Sequence, residues 1–242
     1  ERVNYISFTP EANSMKVKSG IPGLDGLLFG GIPERSMVLL SGSAGTGKTI
    51  FSLQFLVEGA KMKERGVYIT FEEKREKLFD DMLGMGWDLA KYEEMGIFKF
   101  LEYSPEQIKR VLVEGGGTVD AIITQMQVKR LVIDSITSFA LLFQDQLSQK
   151  ESALALFEMI NNWGCTALLT SQATQISPDD LTSQLEFEVD SIILLYHFKK
   201  QGIRQRALEI LKMRGTKITE KTVKLLIDDH GVRIDPKTVV MV

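Results

Sequence analysis

The sequence predicts an α/β fold in which a mostly parallel, helix-covered sheet carries an antiparallel C-terminal β extension. Between residues 37 and 172, short apolar runs without polar alternation are separated by segments whose apolar residues recur at helical spacing. Runs of that kind are typical of strands buried on both faces, as in parallel sheets covered by helices. From residue 191 onward, strand-like runs follow one another with only short turns between them, which favours antiparallel pairing.

The parallel part is predicted from five apolar runs, three helices and a further helical stretch after Pro105. The runs are residues 37–40, 66–71, 97–101, 130–135 and 166–172. The helices are predicted after the first run, near residues 78–83 and near residues 153–160, because apolar residues there recur three and four positions apart. Gly84 and Gly86 are expected to end the second helix, and Trp163-Gly164 the third. The glycines at 115–117 are interpreted as a flexible break in a connection.

The ends of the chain have a different character. Three strand-like runs near the C-terminus, residues 191–198, 207–213 and 223–227, are joined through turns at Gln201-Gly202 and His230-Gly231. Residues 1–20 show little periodicity and are interpreted as an arm or tail. We therefore expect an N-terminal arm at residues 1–16 and one large domain over residues 17–242, a length that a single core can support.

Composition narrows the class of protein. The single cysteine, Cys165, excludes an internal disulfide and a Cys-based zinc site and fits a reducing cytosol, so we expect a cytoplasmic protein. It is interpreted as a small apolar residue entering a strand, and the isolated His197 and His230 as structural or surface residues. No apolar run reaches membrane-spanning length, so no membrane contact is expected.

Charge is unevenly distributed. The net charge of −3 argues against a whole-surface attraction to nucleic acid. Residues 199–224, however, hold nine Lys or Arg and two Glu. This basic segment is either a solvated hairpin face or the better candidate for nucleic-acid contact.

Residues 41–49, with the sequence SGSAGTGKT, fit the phosphate-loop pattern of Gly, four variable residues, Gly, Lys and then Ser or Thr. Glycines in such a loop let successive amide groups turn toward a polyphosphate, and the following helix directs its positive dipole end at the same anion. Lys48 is expected to reach the terminal phosphates of ATP or ADP, and Thr49 to ligate Mg²⁺. The alternative is a glycine turn without a ligand. The nucleotide contacts expected from this stretch are Ser43, Ala44, Gly45, Thr46, Gly47, Lys48, Thr49 and Ile50.

Acidic residues follow two of the predicted strands. Asp134 comes after Leu-Val-Ile, as does the aspartate that contacts the Mg²⁺ shell in phosphate-loop ATPases; the alternative is a strand-end cap. Glu72 and Glu73 follow the run at 66–71. A carboxylate at the carboxyl end of a strand neighbouring the phosphate loop can orient and deprotonate the water that attacks the γ-phosphate. Because adjacent strand residues face opposite ways, we expect one glutamate to act as the base and the other to support it; the alternative is charge favouring a helix N-terminus.

Together these stretches resemble the KaiC-like branch of the RecA ATPase superfamily. The resemblance spans residues 17–235 and is carried by residues 41–49, TFEE at 70–73, GWDL at 86–89, RLVIDSITS at 130–138 and LEILKMRGT at 208–216. It implies a RecA-like phosphate-loop core, slow Mg²⁺-dependent ATP hydrolysis and a homo-oligomer. The family typically forms a hexameric ring with nucleotide at each subunit boundary.

The resemblance also implies roles for individual residues. Glu72 and Glu73 occupy the paired catalytic glutamate positions, alongside the catalytic Lys48. Lys212 and Arg214 occupy a strand-edge finger that reaches the γ-phosphate held by the next subunit, a role in which a cation stabilises transition-state charge. Met213, Thr216, Gly84 and Asp229 fall where nucleotide contacts outside the phosphate loop are expected. Gln172 matches the recombinase branch, where it would sense the γ-phosphate; the alternative is a buried capping amide.

Two functional alternatives remain open beside ATP hydrolysis by a homo-oligomer. The clock protein of the family carries two tandem ATPase units, whereas this sequence has one, so clock function is not implied. ATP could instead control single-stranded DNA binding in a recombination mediator, or gate a signalling scaffold that binds an unknown protein partner and carries autokinase activity. Residues 173–198 contain no Lys or Arg, so phosphate tracking by that loop is not expected and nucleic acid is not the favoured partner.

Overall fold

The computed structural model describes residues 15–104, 107, 110–111, 117–143, 145–172 and 187–242. Most of the expected N-terminal arm, the glycines at 115 and 116 and the acidic loop at 173–186 lie outside these residues. In chain order the elements are β1 (Lys16–Val17), α1 (Leu24–Leu27), β2 (Ile32–Pro33), β3 (Met37–Gly42), α2 (Lys48–Lys61), β4 (Gly66–Thr70), α3 (Arg75–Gly84), α4 (Leu89–Glu94), β5 (Phe98–Glu102), α5 (Gly117–Met126), β6 (Arg130–Asp134), α6 (Ile136–Ala140), α7 (Gln146–Trp163), β7 (Thr166–Ser171), β8 (Ser191–Lys200), β9 (Ile203–Met213), β10 (Val223–Asp228) and β11 (Gly231–Val239).

A nine-stranded sheet runs through the molecule in the order β11-β10-β9-β8-β3-β7-β6-β4-β5. The six strands from β8 to β5 are mutually parallel, and β9, β10 and β11 extend the sheet by antiparallel pairing. The predicted fold class is therefore confirmed. Because β3 lies between β7 and β8, the chain after β3 leaves the sheet at a crevice, the usual position of a ligand in α/β folds.

Helices cover both faces of the parallel part, and each face has its own hydrophobic core. Along β3, Val38 and Leu40 point into the core beneath α2, whereas Met37 and Leu39 point into the core beneath α5, α6 and α7. All six residues of β3 are buried. This explains why the run shows no polar alternation in the sequence.

The structure differs from the sequence expectations in several places. Strand β8, expected to begin the antiparallel extension, pairs in parallel with β3 and antiparallel only with β9. Lys16–Val17 pairs with β2, so the last residues of the arm expected at 1–20 are part of the folded domain. Gly117 begins α5 rather than belonging to a break. The short helices α4 and α6 were not predicted, because six and five residues are too few to show a helical period. Strand β11 was also missed; most of its second half is exposed and it contains Pro236, a residue tolerated at the edge of a sheet. Cys165, as predicted, is buried just before β7.

Arg130, the first residue of β6, is fully buried and makes hydrogen bonds to three separate parts of the chain. Its guanidinium donates to Glu64 (Nε to Oε2, 2.7 Å) and to the carbonyl oxygens of Lys18 and Phe55, both at 2.8 Å. It also lies over the Phe55 ring, 4.6 Å from the centroid. Its Nη2 group lies 2.6 Å from the same Glu64 oxygen and 3.8 Å from the Met62 sulfur, so each guanidinium nitrogen has a partner, as a buried charge requires.

We expect Arg130→Ala to lower the free energy of unfolding by about 3–5 kcal/mol, because it leaves two carbonyl groups and one carboxylate without their donor. Urea unfolding followed by circular dichroism measures the effect. The neighbouring Lys129→Ala, at an exposed position, is the matched control and should change the value by no more than about 0.5 kcal/mol. An unchanged unfolding midpoint for Arg130→Ala would contradict this account.

Candidate nucleotide-binding site

The loop between β3 and α2 has the geometry of an anion cradle. Gly45 and Gly47 have φ angles of 77° and 99°, values that L side chains rarely adopt. The Lys48 ammonium donates to the carbonyl oxygens of Gly42 (2.7 Å) and Ser43 (3.1 Å), and the Thr46 hydroxyl donates to Ser43 (2.9 Å). Lys48 thus lies across the loop at the start of α2, where the helix dipole also favours an anion.

The C-terminal strands of the same chain pack against this loop. A Cβ atom on Gly47 would lie 2.5 Å from Cδ1 of Ile227, and one on Gly45 would lie 3.3 Å from Nδ1 of His197. Arg206 of β9 donates from Nε to the Gly45 carbonyl oxygen at 2.9 Å. The β extension therefore forms one side of the cradle. The positive φ of Gly47 is what requires glycine there, and the Ile227 side chain leaves little room for a Cβ atom unless it shifts.

Asp134 lies at the carboxyl end of β6 and accepts three hydroxyl groups. Oδ2 accepts from Thr49 (3.0 Å) and from the Tyr68 hydroxyl (2.6 Å), and Oδ1 accepts from Thr170. The peptide that follows Asp134 is cis. Mg²⁺ takes oxygen ligands and is usually bound through one or two carboxylates together with substrate phosphates. The Thr49 hydroxyl and the Asp134 carboxylate form a donor set that fits this ion.

Glu72 and Glu73 both line the cleft, but not in the way expected. They lie beyond the end of β4, in a bend where both backbone amides donate to the Thr70 hydroxyl at 3.2 and 3.0 Å. Strand β4 does not pair with β3, since β7 and β6 lie between them, yet both glutamates line the same cleft as the phosphate loop. The Glu72 carboxylate accepts a hydrogen bond from the Ser138 hydroxyl, which orients it.

Burial and the neighbouring charges shift the pKa values of three groups in the cleft. Burial lowers the pKa of Lys48, although Asp134 and Glu72 oppose that shift. Burial raises the pKa of Glu72, and the nearby carboxylates of Asp134 and Glu73 raise it further while Lys48 opposes them. Burial and the neighbouring Asp134 raise the pKa of the Tyr68 hydroxyl, which keeps it a hydrogen-bond donor. A carboxylate with a raised pKa is a stronger base than an ordinary glutamate.

These parts enclose one cleft of about 280 Å³. Ten of the predicted residues line it: Ala44, Gly45, Gly47, Lys48, Thr49, Ile50, Glu72, Glu73, Asp134 and Gln172. Ser43 and Thr46 belong to the same loop, with the Thr46 side chain fully buried. Gln172 is exposed, and its backbone amide donates to the Thr137 hydroxyl at 2.9 Å, so it is not the buried cap that the alternative described.

Six further predicted residues belong neither to the cleft lining nor to the phosphate loop. Lys212, Met213, Arg214 and Thr216 lie at the carboxyl end of β9, where Met213 pairs with Ser191 and Ser191 with Val38. That is the amino end of β3, whereas the phosphate loop follows its carboxyl end at Gly42. Lys212 donates to the Val189 carbonyl (2.8 Å), and Arg214 to that of Phe187 (2.8 Å). Gly84 is exposed at the end of α3, and Asp229 is exposed in the β10–β11 turn, on the phosphate-loop edge.

Sequence reasoning missed several residues that support the site. Tyr68 and Thr170 hold Asp134, and Ser138 orients Glu72. A tyrosine within the apolar run 66–71 was an available signal, since a buried tyrosine hydroxyl needs a partner. Arg206 gave no signal, because its partner Gly45 lies 161 residues away in the chain.

The fold and the cleft together define a phosphate-loop α/β protein of the RecA type. Comparison with known proteins gives the family: a model described as "ATPase: KaiC" matches residues 17–239. The chain belongs to this KaiC-like, RecA-type family, so the resemblance seen in the sequence is confirmed. Membership supports a nucleotide-binding ATPase.

Individual relatives agree with that assignment. A UPF0273 protein of Pyrococcus furiosus is 36% identical over 237 residues, which cover 93% of this chain and 95% of the relative. The circadian clock oscillator protein KaiC of Synechococcus elongatus is 32% identical over 230 residues, covering 91% of this chain and 44% of the clock protein. A crystal structure of a KaiC-like protein from Pyrococcus horikoshii superposes with a TM-score of 0.82 at 35% identity, covering 92% of this chain and all of that one.

Among the described residues, no helix is both long enough and apolar enough to span a bilayer.

Proposed function

We propose that this protein binds ATP and hydrolyses it slowly with Mg²⁺, as a homo-oligomer whose nucleotides lie at subunit boundaries. The observation that carries the proposal is the convergence, in one cleft, of a phosphate loop, a hydroxyl and carboxylate pair suited to Mg²⁺, and two glutamates. The catalytic unit would span residues 17–242. The cytoplasmic location stays a prediction that rests on composition.

Each side chain of the cleft has a physical role in this reaction. The amides of residues 43–50 and the Lys48 ammonium hold the phosphate oxygens, with Lys48 exchanging its carbonyl partners for phosphate. Thr49 and Asp134 would hold Mg²⁺, which supplies positive charge against the phosphate oxygens when it is bound. Glu72 or Glu73 accepts a proton from the attacking water, and Gln172, at the open side of the cleft, senses the γ-phosphate.

The proposal of a shared site is supported by the position of Lys212 and Arg214. The sheet register sets them at the edge of the sheet opposite their own phosphate loop. They lie too far from the cleft of their own chain to contact a nucleotide there, but they can contact the nucleotide that a neighbouring subunit binds. Dependence of hydrolysis on assembly follows, and a hexameric ring is the form we propose from the family. The nucleic-acid and signalling alternatives stay predictions.

The nucleotide-binding part of the proposal is tested with Lys48→Met, which keeps an unbranched side chain and removes the charge. We expect ATP to bind about 10- to 100-fold more weakly in calorimetry with Mg²⁺, because one charge-assisted contact is lost. Lys61→Met, at the exposed far end of the same helix, is the control and should bind ATP as the unmodified chain does. If ATP gives no heat with the unmodified chain, the proposed function is wrong.

A further inference from the structure

The edge of the sheet opposite the cleft carries four exposed cations. Arg35 lies two residues before β3, Lys63 and Arg65 lie just before β4, and Lys129 lies immediately before β6. These strands are parallel members of one sheet, so their amino ends lie at the same edge. The four cations are scattered in the sequence and lie outside the basic segment at 199–224, so only the fold brings them together.

The four cations line one open cavity of about 620 Å³, whose wall includes Trp163. Glu64 is the only carboxylate among its lining residues, and its Oε2 is held by the buried Arg130 at 2.6 Å. The cavity therefore carries a net positive charge that its own acid does not neutralise.

Little within the described part of the chain engages these cations. The structure gives no side-chain hydrogen bond or ion pair for Arg35, Lys63 or Lys129, and Arg65 donates only to the Met126 carbonyl at 2.9 Å. Like charges in one cavity repel one another, and an anion that enters it removes that repulsion.

The backbone around the cavity has positive φ angles at three non-glycine residues. Arg35, Lys63 and Gln127 have φ angles of 58°, 61° and 51°, and they are three of the five non-glycine residues with positive φ among the described residues. Glycine adopts this conformation more readily than residues with a Cβ atom, which lose about 1–2 kcal/mol there. At two of these three positions, Arg35 and Lys63, a long cationic side chain occurs where the backbone alone favours glycine.

Trp163 is half-buried: its indole packs against the core beneath α5, α6 and α7 and also forms part of the cavity wall. The Trp163 indole donates from Nε1 to Oδ1 of Asp120 at 3.0 Å, which fixes the ring in the cavity wall. Cations that track a phosphate backbone, beside an aromatic ring on which a base can stack, are the combination that binds single strands without sequence preference. An acidic peptide would use the cations but would gain nothing from stacking on the indole.

We propose that this edge, defined by Arg35, Lys63, Arg65, Lys129 and Trp163, binds single-stranded nucleic acid, with its phosphates on the cations and a base on the indole. The site lies at the opposite end of the strands from the ATP cleft. It shares no lining residue with the ATP cleft of its own chain, so it is tested without nucleotide.

The test is a titration of the full chain with a labelled oligothymidylate of about 16 nucleotides at two salt concentrations. The chain has two tryptophans, and Trp87 is only 7% exposed, so quenching of intrinsic fluorescence reports on Trp163. We expect quenching on binding. We also expect Lys63→Gln with Lys129→Gln to weaken binding at least tenfold and to reduce the salt slope by about 1.4, the value for two lost phosphate contacts.

The control is Lys199→Gln with Lys200→Gln, which removes the same charge from exposed positions at the end of β8. It should bind the oligonucleotide as the unmodified chain does, and both double variants should keep the circular dichroism spectrum. Equal weakening by the control, or binding without quenching, overturns the proposal. Competition by polyglutamate as effective as that by unlabelled oligonucleotide would show that the partner is an acidic protein instead.

Discussion

Replacing Glu72 and Glu73 together by glutamine is expected to slow ATP hydrolysis by about 10²- to 10⁴-fold, the usual contribution of a general base. Both side chains line the cleft, and the raised pKa of Glu72 makes it a better proton acceptor. Glutamine keeps the shape and the hydrogen-bonding oxygen but cannot accept the proton from water. Phosphate release measures the rate, and calorimetry should show ATP affinity within a few-fold of the unmodified chain.

Controls separate catalysis from a helix-dipole role for these acids. Glu76 lies in the first turn of α3, where an acid favours the dipole, so Glu76→Gln should change stability slightly and leave turnover intact. The single variants Glu72→Gln and Glu73→Gln then show which glutamate is the base. Normal phosphate release by the double variant would remove both residues from the mechanism.

Replacing Lys212 and Arg214 together by alanine is expected to slow hydrolysis by about 10³- to 10⁵-fold, as loss of an arginine finger does. Because both residues lie away from the cleft of their own chain, ATP binding by the isolated subunit should persist. Phosphate release measures the loss, and light scattering shows whether the oligomer remains. Arg204→Ala, at an exposed position near the start of β9, is the matched control.

A mixing experiment tests the shared site directly. Lys48→Met subunits keep the finger but lose the cradle, and the Lys212 and Arg214 variant keeps the cradle but loses the finger. If one active site needs both subunits, a mixture of the two inactive proteins regains activity at the boundaries where an intact cradle meets an intact finger. A mixture that stays inactive while forming mixed oligomers would show that the two residues do not act across a boundary.

The sequence predicts well what depends on neighbouring residues. The run Met-Val-Leu-Leu, the glycine loop and the helix after it form one local unit, so the cradle and the position of Lys48 and Thr49 follow from the pattern itself. The acid after Leu-Val-Ile also lies where expected, because a parallel strand carries its terminal residue to the carboxyl edge.

Features that depend on strand order could not be predicted from the sequence. Chain order places β4 soon after β3, yet two strands inserted from later in the chain separate them. The same rearrangement brings Thr170 to Asp134 and Arg206 to Gly45. No periodicity encodes such pairings, since they follow from which strand edges remain open when each new strand is added.

Strand β9 has a geometric consequence. Arg206 holds the cradle of its own subunit, and Lys212 follows six residues later on the same strand, a separation of about 20 Å at the usual rise per residue. In a ring of the proposed kind, the length of this strand between Arg206 and Lys212 would set the spacing between consecutive nucleotides. Pairing with β8 holds this stretch on one side and β10 holds residues 206–208 on the other, while the irregular register at Leu211 places the only interruption between the two cations just before Lys212.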